Sequence, residues 1–239
     1  MISVIIPAYN EAENIKSIIK DTASVLEECG LPHEIIVIDD GSKDNTYGQA
    51  LSVSKEYNAV KVFRYKDNKG KGYAIKHGFQ HSTGDEVLLL DADSDLPPSQ
   101  VKQMLHYMNQ NGSDIILGSK RHPLSEIDFP LSRRILSRSY NMLCKMLFNL
   151  NIQDTQTGIK VYKRDVLDRL MPKLTVNRFA FDIELVAHAA RLGYIITEVP
   201  IALKYHNHSR VNLWEIIRIF LDTMKVYCRT KFLRHYDKD

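Results

Sequence analysis

Three aspartates at alternate positions follow a short apolar run and could together hold a metal ion. The run at residues 87–90 is too short for a buried helix and predicts a buried strand. Directly after it stand Asp91, Asp93 and Asp95. Carboxylates this close repel one another, and a divalent cation relieves that repulsion. The spacing predicts a site for Mg²⁺ or Mn²⁺ that leaves positions open for phosphate oxygens; the alternative interpretation is a solvated acidic turn.

A second acidic segment, Asp39-Asp40-Gly41-Ser42, also follows an apolar run, at residues 34–38. Farther along the chain, a glycine–lysine loop at residues 68–73 precedes a helical pattern. Aspartate and glycine are common turn formers after a strand, so each segment alone could be structural. Two acidic strand ends and a lysine-bearing loop together favour a site for a metal ion and an anionic ligand.

The elements that must position these side chains alternate between strand and helix. The first half of the sequence predicts strands over residues 2–6, 34–38, 60–65 and 87–90, and helices over residues 11–28, 46–57, 74–81 and 97–109, with Asn10 as the N-cap of the first helix. The second half predicts strands over residues 114–117, 157–162, 195–199 and 202–205, and helices over residues 131–150, 181–192 and 213–232. This alternation is typical of an α/β fold with an open, doubly wound, mostly parallel sheet. In such sheets ligands bind beyond the carboxyl ends of the strands, where both acidic segments lie.

Composition limits the class of protein. The 239 residues are 44% hydrophobic and 26% charged, and the net charge of +3 is too weak to indicate a nucleic-acid partner. Three scattered cysteines have no spacing that suits a disulfide or zinc, which favours a reducing compartment. We see no signal peptide and no run near the ~20 apolar residues of a spanning helix. We therefore expect a cytoplasmic protein, soluble or peripheral on the cytoplasmic face of a membrane, with one domain at residues 1–212 and an amphipathic helix at residues 213–239 packed on or beside it.

Four segments of the first hundred residues occur in a specific order, namely Pro7-x-Tyr9-Asn10-Glu11, Asp39-Asp40-Gly41-Ser42, Asn68-x-Gly70-Lys71-Gly72 and Asp91-x-Asp93. This ordered set resembles the family 2 glycosyltransferases of the GT-A fold. Four later segments are Gly118-Ser119-Lys120, residues 153–164, Phe181-Asp182-Ile183-Glu184-Leu185 and Glu198-Val199-Pro200. They look like the polyprenyl-phosphate sugar transferases, most of all the dolichyl-phosphate glucosyltransferases and next the dolichyl-phosphate mannose synthases. One departure is His208-Ser209-Arg210, where that family usually carries Gly-Ser-Lys.

The resemblance implies a GT-A type sheet with C-terminal helices on the membrane-facing side. It implies inverting transfer of a hexose from a nucleotide-diphosphate sugar to polyprenyl or dolichyl phosphate, with UDP-glucose favoured over GDP-mannose as the donor. The implied metal ligands for Mg²⁺ or Mn²⁺ are Asp91, Asp93 and Asp95, and the implied catalytic residues are Asp91, Asp93, Lys120 and Asp182. The implied donor-binding residues are Pro7, Ala8, Tyr9, Asn10, Glu11, Asp39, Asp40, Lys71, Asp91 and Ala92.

The acceptor phosphate of such a reaction is already an anion at neutral pH, because its second pKa is about 6. It needs positioning more than deprotonation, and the candidates to hold it are Lys120, Arg133, Ser137 and Arg210. Asp182 and Glu184 cannot share one face of a helix, so we expect Asp182 to face the site. The predicted helices at residues 131–150 and 213–232 mix basic and bulky apolar residues, a pattern of helices that lie on a membrane surface. The alternative is that their apolar faces pack on the sheet, and we expect this for half of that surface. Membrane contact would be direct or through a separate membrane-anchoring protein.

Three other functions are compatible with parts of the sequence. A family 2 transferase that acts on a polysaccharide or another non-lipid acceptor would carry the same motifs. A metal-dependent phosphatase of the haloacid dehalogenase type also has a strand that ends in Asp-x-Asp, but usually on the first strand, and it does not explain the segment at residues 39–42. A non-catalytic nucleotide-sugar binding protein would keep the fold without turnover, although the intact Lys71, Asp91 and Asp93 argue against it.

Overall fold

A computed structural model describes residues 1–128, 131–204, 213–232 and residue 236. The side chains of Asn111, Leu213 and residues 131–133 lie outside that description. Two of the predicted acceptor residues are affected. Arg210, with the rest of the His208-Ser209-Arg210 segment, lies outside the described residues, and Arg133 is described only as part of a helix backbone.

The strands of the described chain form one large and one small sheet. They are β1 (Ile2–Ala8), β2 (His33–Asp39), β3 (Val60–Arg64), β4 (Glu86–Leu90), β5 (Ile115–Ser119), β6 (Glu126–Ile127), β7 (Ile159–Lys163), β8 (Ile196–Pro200) and β9 (Ala202–Leu203). The large sheet has the order β3-β2-β1-β4-β7-β5-β8, and its neighbours are parallel except where β7 pairs with β4 and β5. The short strands β6 and β9 pair with each other. The predicted α/β fold with a mostly parallel sheet is therefore confirmed.

Helices cover both faces of the large sheet. They are α1 (Ile15–Glu28), α2 (Thr46–Ser54), α3 (Lys71–Gln80), α4 (Gln100–Asn111), α5 (Leu131–Phe148), α6 (Arg164–Leu170), α7 (Phe181–Arg191) and α8 (Leu213–Lys231). Strand β1 shows the division, because Val4 belongs to the core with α1 and α4, whereas Ile5 belongs to the core with α6 and α7. Burial on both faces explains why the strands are nearly continuous apolar runs. Within the described residues, no helix is both long enough and apolar enough to cross a membrane.

Two features of the helices differ from the sequence prediction. The predicted N-cap at Asn10 is wrong, because α1 begins only at Ile15 and Asn14 occupies its N-cap position. Asn10 instead adopts a φ of 53°, and its side-chain oxygen accepts a hydrogen bond of 2.7 Å from the N–H of Lys43. The second difference is α6, which follows β7 directly and was not predicted. Asn10 thus joins the loop after β1 to the loop after β2.

One edge of the sheet collects the chain segments that carry the motifs. Strands β2, β1 and β4 are neighbours and parallel, so their carboxyl ends lie side by side. Strand β7 runs in the opposite direction, so its first residue, Ile159, pairs with Leu90 at the end of β4. The carboxyl end of β5, at Ser119, lies at the same edge and leads to Lys120. This is the edge at which open α/β sheets bind their ligands.

Candidate active site

A cluster of charged side chains lies at this edge, where α3, β4, β7 and α7 meet. The ammonium group of Lys71 is 2.7 Å from one carboxylate oxygen of Asp91 and 3.3 Å from one of Asp182. Lys160 forms a short ion pair with the other oxygen of Asp182. Lys160 and Asp182 are only 1% and 4% exposed. Lys71 therefore connects the acidic end of β4 to a buried ion pair.

The neighbours in this cluster determine which side chains stay charged. Burial raises the pKa of Asp182, but Lys160 and Lys71 outweigh that effect and hold the pKa below its ordinary value. Burial lowers the pKa of Lys71, but Asp182 and Asp91 reverse the change and leave the pKa raised. For Lys160 burial prevails, and its pKa lies below that of an ordinary lysine despite Asp182. Lys71 is therefore a firmly charged cation at the edge of the crevice.

The acidic turn after β4 has the chemistry of a divalent-cation site. Burial, and then the charges of Asp91 and Asp95, raise the pKa of Asp93 to about 7. Crowded carboxylate oxygens of this kind suit Mg²⁺ or Mn²⁺, whose charge would remove the repulsion. Among the described residues, however, no three His, Cys, Asp or Glu side chains converge on one point. The structure thus does not assemble the predicted set of three carboxylates; Asp91 and Asp93 would need further oxygens from a bound ligand. Ala92 between them is buried.

Gly158, just before β7, allows Asp91 to occupy its position. The backbone N–H of Asp91 donates a hydrogen bond of 2.9 Å to the carbonyl oxygen of Gly158. A Cβ atom on residue 158 would lie 2.7 Å from the Cγ of Asp91, closer than real Cβ contacts occur. A side chain at position 158 would therefore force the Asp91 carboxylate to move from its position beside Lys71.

Asp40 anchors the glycine–lysine loop that carries Lys71. One carboxylate oxygen accepts a hydrogen bond of 2.7 Å from the N–H of Lys69, and the other accepts bonds from the N–H of Gly70 at 2.8 Å and the amide of Asn68 at 2.9 Å. Burial raises the pKa of Asp40, and the N–H groups of Lys69 and Gly70 oppose that rise. Gly70 has a φ of 101°, a conformation that favours glycine. Asp40, one of the predicted donor-binding residues, therefore fixes the glycine–lysine loop.

Asp39 and the loop after β1 are joined in a similar way. The buried Asp39 carboxylate accepts a hydrogen bond of 3.0 Å from the N–H of Ser42. The hydroxyl of Ser42 accepts a bond of 2.8 Å from the N–H of Asn10, and Thr46 accepts one of 2.7 Å from the N–H of Glu11. The backbone of the predicted donor-binding segment is therefore fixed by residues that follow β2. The other predicted residues of this segment are Ala8, which is buried, and Pro7 and Tyr9, which are half-buried.

Lys120 and Ser137, two of the predicted acceptor residues, are linked through Asp154 and a second cation, Arg121. Lys120 lies 3.4 Å from the buried carboxylate of Asp154, which also lies 3.4 Å from Arg121. Arg121 in turn donates hydrogen bonds to the carbonyl and hydroxyl oxygens of Ser137, at 2.7 and 3.0 Å. These residues form a half-buried basic group beside the end of β5 that could hold an anion.

Asp182 and Glu184 have different partners, although both are buried. Asp182 contacts the two lysines of the cluster. Glu184 accepts hydrogen bonds from the N–H groups of Thr175 and Val176, at 3.0 and 2.9 Å, and one from the hydroxyl of Tyr236 at 2.5 Å. Glu184 thus anchors the loop before α7, while Asp182 belongs to the charge cluster.

Four residues of this arrangement were not assigned to the site from the sequence. They are Arg121, Asp154, Gly158 and Lys160. A usable signal existed for Lys160, because a lysine inside the apolar strand Ile159-Lys160-Val161 must find a partner. Arg121 stands next to the predicted Lys120, but the sequence gives no sign that it contacts Ser137.

Comparisons with known proteins identify related sequences. Residues 3–171 match the family model described as Glycosyl transferase family 2. The dolichyl-phosphate beta-glucosyltransferase of Dictyostelium discoideum is 34% identical over 214 residues, which are 84% of this chain and 65% of that protein. The dolichyl-phosphate beta-glucosyltransferase of Drosophila melanogaster is 31% identical, over 95% of this chain and 74% of that protein. The chain thus spans less than two thirds of the length of the Dictyostelium relative, and only 34% of a glycosyltransferase of Haloferax volcanii that is 28% identical.

Solved structures share the fold. Glucosyl-3-phosphoglycerate synthase from Mycobacterium tuberculosis, in complex with Mn²⁺, uridine diphosphate and phosphoglyceric acid, superposes with a TM-score of 0.75 at 21% identity, over 95% of this chain and 77% of that one. Mannosyl-3-phosphoglycerate synthase from Rubrobacter xylanophilus gives a TM-score of 0.75 at 20% identity, over 99% of this chain and 75% of that one.

Proposed function

Because this chain belongs to glycosyl transferase family 2, we propose that it transfers a hexose from a nucleotide-diphosphate sugar to the phosphate of a polyprenyl or dolichyl lipid, with UDP-glucose as the preferred donor. Support for the acceptor comes from two relatives named dolichyl-phosphate beta-glucosyltransferase, which are 34% and 31% identical over most of the chain.

The observation that carries the proposal is the position of Lys71 between Asp91 and the buried Asp182. Rupture of a sugar–phosphate bond leaves negative charge on the departing diphosphate, and a fixed cation beside that charge lowers the barrier. Lys71 begins α3, so its position is fixed by the helix and by the loop that Asp40 anchors. A cation held in advance of the reaction suits this chemistry better than a solvated loop lysine does.

A divalent cation held by the acidic turn would supply the second positive charge. Asp91 and Asp93 would hold Mg²⁺ or Mn²⁺, which when bound would stabilise the charge on the diphosphate. Lys71 would then turn from Asp91 toward a donor phosphate, while Asp182 keeps it oriented. Lys160 neutralises Asp182 from the other side and holds that carboxylate in place.

The acceptor phosphate would bind near the basic group of Lys120, Arg121 and Ser137, with Arg133 and Arg210 as further predicted contacts. An oxygen of this anion would attack the anomeric carbon as the bond from that carbon to the nucleoside diphosphate breaks. The nucleoside diphosphate leaves as an anion, and no proton must be removed from the acceptor. Direct displacement inverts the configuration, so a donor with an α linkage gives a β-linked product.

Membrane contact is part of the proposal, because the acceptor is a lipid. Helices α5 and α8 expose large apolar side chains, among them Met142, Met146, Trp214 and Leu221, each at least half exposed. Helices that mix such residues with basic ones bind at the surface of a bilayer. We propose a peripheral position on the cytoplasmic face of a membrane, reached directly or through a separate membrane-anchoring protein.

The test is a transfer assay with purified protein, short-chain polyprenyl phosphate, Mn²⁺ or Mg²⁺, and radiolabelled sugar nucleotides that include UDP-glucose and GDP-mannose. Label is followed into the organic phase. We expect transfer from one donor, loss of transfer in Asp93→Ala, and retention in Asp85→Ala, which removes an exposed aspartate at the opposite end of β4 from the acidic turn. Absence of transfer from every donor, with donor binding intact, would contradict the lipid acceptor and favour a polysaccharide acceptor or a nucleotide-sugar binding protein.

A further inference from the structure

A basic pocket lies outside the charge cluster, where the glycine–lysine loop, the loop before α7 and helix α8 meet. Its volume is about 300 Å³, the lower end of the ~300–1,000 Å³ range of small-ligand sites. The cationic side chains that line it are Lys69, Arg178, Lys225 and Arg229. We refer to it as the α8 pocket. It shares no lining residue with the catalytic and acceptor residues proposed above.

The α8 pocket has an excess of positive charge, which favours binding of an anion. Its four cations face one lining carboxylate, that of Asp222, which lies 2.9 Å from Lys225. In the part of the chain that the structure describes, neither Lys69 nor Arg178 lies within ion-pair distance of an acidic residue; Lys69 donates a hydrogen bond of 3.1 Å to the Tyr73 hydroxyl, and the charge of Arg178 opposes the rise that burial causes in the pKa of Asp40. Several converging cations, two of them guanidinium groups, are the donors that best match phosphate oxygens.

The walls of the α8 pocket are fixed by contacts that do not depend on a ligand. Glu184 holds the backbone of Thr175, and the Thr175 hydroxyl accepts a short hydrogen bond from Arg229. In the same loop, the carbonyl oxygen of Asn177 accepts a hydrogen bond of 3.0 Å from the N–H of Tyr73 in α3. The loop backbone and the Arg229 side chain are therefore held in place before a ligand arrives, which lowers the entropic cost of binding.

The pocket borders an exposed apolar face of α8. Leu221, Lys225 and Arg229 follow one another at intervals of four residues, so they lie along one side of the helix. Trp214 lies seven residues before Leu221, and Phe232 lies seven residues after Lys225, so both are on the same side. Leu221 is 50% exposed, and Trp214 and Phe232 are each 71% exposed. A free phosphate would gain nothing from these side chains, whereas the hydrocarbon of a lipid would.

We propose that the α8 pocket binds the phosphate of an anionic phospholipid headgroup, with the acyl chains lying along the apolar face of α8. The site is additional to the one for the acceptor lipid. This inference rests on the membrane contact in the proposed function. It does not depend on sugar transfer. A bound headgroup would set the orientation of the glycine–lysine loop relative to the bilayer, because Lys69 belongs to that loop and also lines the α8 pocket.

The experiment is co-sedimentation of the full chain with phosphatidylcholine vesicles, with and without phosphatidylglycerol and in the absence of sugar nucleotide. The pocket variant is Lys225→Gln/Arg229→Gln. The matched control is Lys16→Gln/Lys102→Gln, which removes the same charge from exposed positions of α1 and α4. We expect the pocket variant to bind the anionic vesicles at least about tenfold more weakly than the control does. The variant Arg229→Lys keeps the positive charge but not the guanidinium fork, so it should bind more strongly than the pocket variant and more weakly than the native protein.

Three results would overturn the inference. Equal losses in the pocket and control variants would show diffuse attraction rather than a site. Calorimetric binding of inorganic phosphate that requires Arg229, without vesicle binding, would assign the pocket to a soluble phosphate. A parallel loss of UDP affinity in the pocket variant would make it part of the donor site. Transfer to short-chain polyprenyl phosphate in detergent is measured separately, so failure of this inference is distinguishable from failure of the proposed function.

Discussion

Lys160 lies inside an apolar strand, and its ion pair with Asp182 compensates for the burial of its charge. Removal of one partner from a buried ion pair typically costs about 3–5 kcal/mol, because the other charge stays buried. Lys71 remains beside Asp182 and reduces that loss. We therefore expect Lys160→Met to lower the free energy of unfolding by about 2–4 kcal/mol, as measured by urea denaturation.

Lys163 on the same strand provides the control for this prediction. It is 40% exposed and pairs with Asp114 at 2.9 Å, and exposed pairs of this kind contribute little to stability. Lys163→Met should therefore unfold close to the native protein. The double variant Lys160→Met/Asp182→Leu should recover much of the lost stability, because it leaves no buried charge of this pair uncompensated. Equal denaturation midpoints for Lys160→Met and Lys163→Met would contradict the role assigned to the ion pair.

At the scale of elements, Asp40 connects the end of β2 to the loop before α3. In Asp40→Asn an amide NH₂ group replaces one of two accepting oxygens and must oppose an N–H donor, at a cost of about 1–3 kcal/mol. We expect faster hydrogen exchange at the amides of Lys69 and Gly70 and weaker donor binding, with the rest of the sheet unchanged. Hydrogen exchange and calorimetry measure the two effects. Asp67→Asn changes an exposed residue of the same loop and should alter neither; a similar change in both variants would refute the anchoring role.

Glu34 performs a comparable task at the opposite edge of the sheet, where it joins β2 to β1, β3 and the turn before β4. Its carboxylate accepts hydrogen bonds from Ser3 at 2.7 Å, Lys61 at 2.8 Å and the N–H of Thr83 at 2.6 Å. Burial raises the pKa of Glu34, but Lys61, Ser3 and Thr83 outweigh it and bring the pKa to about 2, from 4.5. Because the folded-state pKa is the lower one, this stabilisation is complete above about pH 5 and is lost as the pH falls toward 2.

Urea denaturation at several pH values tests this link. Glu34→Gln should be less stable than the native protein by about 2 kcal/mol near neutral pH, and the difference should shrink steadily below about pH 5. Glu56→Gln is the control, since Glu56 forms an exposed pair with Lys20 and should change stability little at any pH. A difference between Glu34→Gln and the native protein that stays constant down to pH 3 would show that the carboxylate charge is not what stabilises this edge.

At the scale of the molecule, the sequence predicted the sheet well and the contacts within the site poorly. Apolar runs that end in carboxylates identify buried parallel strands and the edge where ligands bind. The direction of β7 could not be predicted, because a buried apolar run has the same pattern in parallel and antiparallel strands. That direction brings Gly158 and Lys160 next to Asp91 and Asp182, so neither residue was assigned to the site. Asn10 was misassigned because its positive φ is a tertiary feature of two joined loops.

The distribution of charge over the whole molecule leads to the last prediction. The chain carries a net charge of +3, yet at the carboxyl edge of the sheet the carboxylates of Asp91, Asp93, Asp95 and Asp182 outnumber the ammonium groups of Lys71 and Lys160. A divalent cation that binds only the folded state, together with a nucleotide, stabilises that state by mass action, by about 2.7 kcal/mol at a hundredfold excess over the dissociation constant. We expect Mn²⁺ with UDP to raise the Tm by about 5 °C or more, and a chelator to reverse the change without unfolding the protein.

Asp93→Asn should lose the part of the rise that depends on Mn²⁺, whereas Asp21→Asn, at an exposed position of α1, should keep it. An equal Mn²⁺-dependent rise in both variants would exclude the acidic turn as the metal site.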